Sequence, residues 1–214
     1  MNYSFCLPPP LVTTLDALLD RIDTDLQGTT LIVGDAGRGK SSYINALAER
    51  AKSRGECVAV WDAYEAREAD DRTVLAMLLS ALGSRFAAQD RSINRLFIDD
   101  ADFLNREHLP DIVQFCRRNR VHLTLAMQAT ALEWPASEDL INSVSVVLTV
   151  HTQAENTARL LEGLTAFESW EIVPMISKLG KLECAIWSRG ALVGRVELSE
   201  STALPCSRGI ALRL

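Results

Sequence analysis

The sequence lacks most of what would mark a membrane, secreted or zinc-bound protein. Its longer apolar runs, such as VSVVLTV at 144–150, fall far short of the roughly 20 residues needed to cross a bilayer. The opening MNYSFCLPPP has no charged region followed by an apolar core, so the chain reads as soluble, unexported and cytoplasmic. Cys6, Cys57, Cys116, Cys184 and Cys206 are scattered without C-x-x-C spacing, which suits a reducing compartment and argues against a zinc site. His108, His122 and His151 are equally isolated and read as core or surface residues. No repeat, low-complexity tract or linker divides the 214 residues, so one domain is the default. A broad basic surface is missing too: the net charge is −6, the pI is near 5.1, and DAYEAREADD at 62–71 is locally acidic. The densest basic patch, RRNR at 117–120, reads as a solvated helix end.

What is present is LIVGDAGRGKSS at 31–42, containing G-x-x-x-x-G-K-S at 34–41. An apolar run at 30–33 reads as a buried strand. Residues 43–54 place Ile44, Leu47, Ala48 and Ala51 on one face of a helix. The glycines lie between strand and helix, where Gly34, Gly37 and Gly39 allow the backbone to curl so that its N–H groups converge, and the helix dipole adds positive potential. This is the phosphate cradle of a P-loop, and residues Gly34, Asp35, Ala36, Gly37, Arg38, Gly39, Lys40, Ser41 and Ser42 are the candidate nucleotide-binding set. Lys40 reaches the β- and γ-phosphates of ATP, and the Ser41 hydroxyl ligates a Mg2+ ion that keeps most of its waters.

Such a loop needs an acidic partner for the metal. About 60 residues downstream, RLFIDDAD at 95–102 supplies an apolar strand that stops abruptly at Asp99 and Asp100. Asp99 is assigned to the metal and Asp100 to the attacking water. Aspartate is shorter than the glutamate more usual at the second position, so slow hydrolysis, or dependence on a partner or DNA, is expected.

Helical patterns are expected at 11–22, 73–86, 111–118 and 152–164, with strands at 57–61, 121–128 and 144–150 and a hairpin over 182–198 turning at Arg189 and Gly190. Strands alternating with helices, and apolar along their length, predict an α/β fold with a mainly parallel sheet covered on both faces and a C-terminal β-hairpin. Expected boundaries are an N-terminal extension at 1–24, an ATPase domain at 25–200 and a tail at 201–214.

In this order, DLQGTTLIVGDAGRGKSS, RLFIDDAD, RNRVHLTLAMQAT, SVSVVLTVHTQAENTARLLEG and the LECAIW…GRVEL hairpin resemble the FtsK-HerA class of P-loop motor ATPases, over about 25–200. The resemblance implies a RecA-like fold with an additional strand between the P-loop strand and the acidic strand. That strand ends in Gln128, which would sense the γ-phosphate. It also implies a homo-oligomeric, hexameric ring in which Arg85, on the helix before the acidic strand, completes a neighbour's site; Arg91 is the arginine to try should Arg85 fail. Double-stranded DNA and a membrane or capsid portal protein are the implied partners, and ATP-driven DNA translocation in packaging or transfer the implied function. The sequence departs from the class in Asp100, in the short segment between the two motifs, and in having no winged-helix domain to read DNA. Two alternatives stay open: a DnaA-like AAA+ initiator or transposition helper, which the hairpin at 182–198 opposes, and a protein-secretion ATPase domain or weakly hydrolysing assembly module.

Overall fold

Residues that alternate between two apolar partners along a strand require cover on both faces of the sheet, and the structure supplies it. The computed structural model describes residues 14–23, 28–64, 76, 79–80, 83, 94–104, 109–128, 143–152, 155–164, 167–180, 182–188 and 191–198. Its strands are β1 (Thr29–Gly34), β2 (Cys57–Asp62), β3 (Asn94–Asp99), β4 (Val121–Gln128), β5 (Val144–Val150), β6 (Glu183–Ser188) and β7 (Ala191–Glu197). They form one sheet in the order β2-β3-β4-β1-β5-β6-β7. The first five run parallel, and β6 and β7 are antiparallel additions at one edge. The glutamine-ending strand β4 therefore lies between the P-loop strand β1 and the acidic strand β3, as the sequence resemblance implied.

The described helices are α1 (Leu15–Asp23), α2 (Lys40–Ser53), α3 (Leu109–Arg118), α4 (Glu155–Leu164) and α5 (Ser169–Ile176). On one face, Leu18, Leu19 and Ile22 of α1 and Ile44, Leu47 and Ala51 of α2 cover Ile32, Phe97, Ala126 and Leu148. On the other, Ile112 of α3, Leu161 of α4 and Ile172 of α5 cover Leu31, Val33, Ile98, Leu125 and Trp187. The side chains of Leu31 and Ile32 thus enter different cores, as the two-residue period of a strand requires. α1 shares its core with the P-loop helix, so it belongs to the same packed body. The expected domain boundaries lie outside the described residues.

Helix α5 has no counterpart in the sequence reading. It is short and carries Pro174, a residue that argues against a helix, but a reciprocal capping box between Glu168 and Glu171 fixes its start. The hairpin forms as expected, with Ser188 opposite Ala191, while its turn residues Arg189 and Gly190 lie outside the described residues.

Tyr43, directly after the P-loop, ties α2 to this hairpin. Its buried hydroxyl lies 2.7 Å from the carbonyl oxygens of both Leu182 and Val196. The cradle is therefore anchored to the end of the sheet away from the acidic strand.

Candidate nucleotide site

Parallel strands place their C-terminal ends along one edge, where the loops that follow can converge. Here β1, β3 and β4 deliver the P-loop, the aspartate pair and Gln128 to that edge. The resulting cleft, of about 490 Å³, is lined among others by Gly37, Lys40, Ser41, Asp100 and Gln128. Gln128 pairs with Gly34 in the ladder of β4 and β1, so the sensor candidate starts level with the cradle.

The loop geometry separates the roles of its glycines. Gly37 (φ 70°) and Gly39 (φ 94°) have the left-handed backbone that curls the loop. Gly34 does not share that role. It is the last residue of a strand, and a Cβ there would stand 2.1 Å from Cγ2 of Val150. Close approach by β5, rather than curling, requires a glycine at this position. The same strand end braces the loop further: the Asp35 N–H donates to the His151 carbonyl at 3.3 Å, and the Thr152 hydroxyl donates to Asp35 Oδ1 at 2.9 Å. Lys40 is buried and its Nζ donates to the carbonyls of Gly34 (3.2 Å) and Asp35 (3.1 Å). The ammonium is thus held across the loop mouth, ready to exchange carbonyl partners for phosphate oxygens.

Asp99 ends β3, and the Ser41 side chain is near enough to favour its ionised form. Burial is the main cause of a raised Asp99 pKa, opposed by the nearby Ser41 hydroxyl and reinforced by the charges of Asp100 and Asp62. Two neighbouring hard oxygen donors suit Mg2+, which takes one or two protein ligands and fills the rest of its octahedron with water and phosphate. Among the described residues no group of three or more His, Cys, Asp or Glu is placed to hold a metal ion.

Asp100 leaves the strand in a left-handed conformation (φ 46°, ψ 41°), which turns it away from the sheet edge and into the cleft wall. Such a backbone is uncommon for a residue with a side chain and marks a position held by its surroundings. Its carboxyl is also pushed upward, first by burial and then by Asp62, while Lys40 pulls it back. An elevated carboxyl pKa suits a group that must accept a proton from water.

The structure adds residues that the sequence reading missed. Asp62, at the end of β2, pairs with Asp99 in register. Asp102 accepts the Gln128 backbone N–H at 2.7 Å. Tyr64 and Phe103 stand edge to face at 4.9 Å, both exposed on the cleft wall beside Asp100. DAYEAREADD and DDADF carry these residues in sequence, but only as acidic stretches with nothing to single them out. The expected Arg85, and Arg91 with it, lie outside the described residues.

No protein-family model matches the sequence, nor does any curated protein. Solved structures do match. The genome packaging NTPase B204 of Sulfolobus turreted icosahedral virus 2, in complex with AMPPCP, superposes with a TM-score of 0.57 at 14% identity, over 77% of this chain and 93% of that one. B204 of Sulfolobus Turreted Icosahedral Virus, described as a DNA-packaging ATPase, gives 0.56 at 15% identity, over 76% and 93%. The cytoplasmic domain of the Type VII secretion ATPase EccC of Thermomonospora curvata gives 0.52 at 13% identity, over 80% of this chain and 24% of that one. With the strand order above, these matches decide the architecture. The fold is that of a RecA-like P-loop NTPase. The recognition drawn from the motifs therefore holds at the level of structure: a genome-packaging NTPase matches this P-loop NTPase fold over most of both chains.

The basic cluster at 117–120 ends α3 and precedes β4, so it lies at the opposite end of that strand from Gln128, and its residues are exposed. Among the described residues no helix is long and apolar enough to cross a membrane.

Proposed function

We propose that this P-loop NTPase is a Mg2+-dependent ATPase that works as a homo-oligomeric ring motor on double-stranded DNA, in packaging or transfer. The observation that carries the reading is the convergence of Lys40, Asp100 and Gln128 on one cleft, with β4 inserted between the P-loop strand and the acidic strand. Lys40 and the curled loop hold the phosphates, and Ser41 and Asp99 hold the metal. A bound Mg2+ supplies charge neutralisation on the transferred phosphoryl group. Asp100 orients the attacking water and accepts its proton. Gln128 registers whether a γ-phosphate is present. The donor for charge developing on that phosphate comes from a neighbouring copy, with Arg85 as the candidate.

The fold shared with two viral packaging NTPases over most of both chains favours a single motor domain acting on a genome. The net charge of −6 is compatible with DNA as substrate, because a ring can grip it with a few residues repeated around the pore rather than with a broad basic face. A secretion motor is the second reading, supported by the match to the EccC domain. ATP turnover measured with and without double-stranded DNA, together with the mass of the nucleotide-bound assembly, separates them. Stimulation by DNA in a ring supports the first reading. A ring indifferent to DNA supports the second, and a nucleotide-bound monomer overturns both.

A further inference from the structure

In a parallel sheet each strand's N–H groups on one side are taken by the next strand, until the strands diverge. The ladder between β3 and β4 ends at Ile98 and Leu125, although β4 continues for three more residues to Gln128. On its other side β4 remains paired with β1 through Gly34. The Gln128 N–H, which the β3 backbone no longer reaches, donates instead to the Asp102 carboxylate at 2.7 Å. A side chain thus takes the place of a missing strand partner.

Asp102 is well placed to transmit what happens at Gln128. It sits in the 3-10 turn Ala101–Phe103, which begins directly after Asp100. The turn is internally tied, with the Phe103 N–H donating to the Asp100 carbonyl at 3.0 Å and the Leu104 N–H to Ala101 at 3.1 Å, and Ala101 is buried beneath it. Asp100, Asp102 and the backbone between them therefore form one short rigid piece. Asp102 itself does not line the cleft. Its second carboxylate oxygen is buried and has no hydrogen-bond partner among the described residues, so the carboxylate's single such contact is the one to Gln128. A turn that needed only a cap would bond its own backbone, whereas this carboxylate reaches 26 residues along the chain to an adjacent strand.

We infer that Asp102 is a positioning residue that couples Gln128 to Asp100, so that contact between a γ-phosphate and Gln128 is delivered to the turn that aims the water-activating carboxylate. The inference rests on the ATPase reading above. It assigns Asp102 no contact with nucleotide.

The test uses the full chain, with Asp102→Ala, Asp102→Asn and Gln128→Ala, and two readouts. In steady-state turnover, Asp102→Ala should lower kcat by about tenfold or more while KM stays within about twofold, because only the aim of Asp100 is lost. Asp102→Asn keeps an oxygen that accepts the Gln128 N–H and should stay within about threefold of the unaltered chain. Gln128→Ala should lower kcat in the unaltered chain but add little to Asp102→Ala, as expected for two members of one linkage. Normal kcat in Asp102→Ala, equal losses in Asp102→Asn and Asp102→Ala, or additive losses in the double variant would each overturn the inference. In the second readout, backbone amide resonances are followed as AMPPCP and Mg2+ are added. The resonance of Leu104, which closes the same turn but does not line the cleft, should move in the unaltered chain and in Asp102→Asn, which also answers the case where the alanine variant does not fold, and should move far less in Asp102→Ala. An equal displacement in Asp102→Ala, or none in the unaltered chain, overturns the coupling. An unaltered chain that binds AMPPCP and couples in this way without turning ATP over would sink the ATPase reading alone. One that binds no AMPPCP overturns both, and binding measured before any substitution tells these cases apart.

Discussion

Asp62 stands opposite Asp99 where the parallel ladder of β2 and β3 ends, and its charge also acts on Asp100. After burial it is the largest cause of the raised Asp100 pKa. Asp100 must be ionised to accept a proton, so kcat/KM should fall as pH drops through that raised value. Asp62→Asn removes one source of repulsion and should move the acidic limb of the kcat/KM profile to lower pH. An unmoved limb would show that Asp62 is screened from the reacting carboxylate, or that Asp100 is not the group titrating.

Stability without nucleotide or metal should show the opposite face of the same electrostatics. Asp99 has a folded-state pKa above its ordinary value, so the fold binds more protons than the unfolded chain between those two values. Stability from this group is fully present below the ordinary value of about 3.8 and is lost as pH rises through the raised one. Asp100 and Asp102 shift in the same direction. At neutral pH, Asp99→Asn should therefore raise Tm by a few degrees, with the gain vanishing as pH approaches 4, and should abolish the metal-dependent part of ATP binding. Thermal melts across pH check the first part and calorimetry with and without Mg2+ the second.

Lys40 and Asp100 should separate binding from chemistry. Lys40→Ala removes a charge-assisted phosphate contact and should weaken ATP binding by about 1.5–3 kcal/mol. Asp100→Asn should leave that affinity nearly intact and reduce turnover at least about tenfold, because its carboxylate acts in the transition state. Calorimetry and steady-state rates on the two variants would contradict these roles if the losses were interchanged.

Gly34 tests the packing that fixes the loop. Gly34→Ala drives a methyl into Val150, which has no unbranched end to swing aside, and should destabilise the fold by about 1–3 kcal/mol. Val150→Ala makes room, so the double variant should be more stable than the sum of the two singles. Additive losses in denaturant melts would place the constraint on Gly34 elsewhere.

Completion of the site between copies predicts that turnover per chain rises with protein concentration, and that Arg85→Ala abolishes the rise without harming ATP binding. Mixing Lys40→Ala chains with Arg85→Ala chains should restore part of the activity at shared interfaces. Co-assembly without restoration would exclude Arg85 and turn attention to Arg91.

The sequence by itself determined the elements whose code is local. Glycine spacing before a helical pattern gave the cradle, the abrupt end of an apolar run gave Asp99, and alternation around a short turn gave the hairpin, while Gln128 came only from the family resemblance of its strand. Each is written within a dozen or so neighbouring residues, where backbone preference and apolar period act directly. The tertiary structure decided what depends on partners distant in the chain. Strand order put Gln128 level with Gly34. The arrival of β5 made a strand glycine obligatory at Gly34 and brought His151 and Thr152 to the loop. Register made Asp62 the neighbour of Asp99, and the early end of the β3–β4 ladder left Gln128 for Asp102. None of these residues differs in type from an ordinary surface aspartate, threonine or histidine. Only the folding of separate strands to one edge gives them a role, because charge and hydrogen bonding act over a few ångströms of space, whatever the separation along the chain.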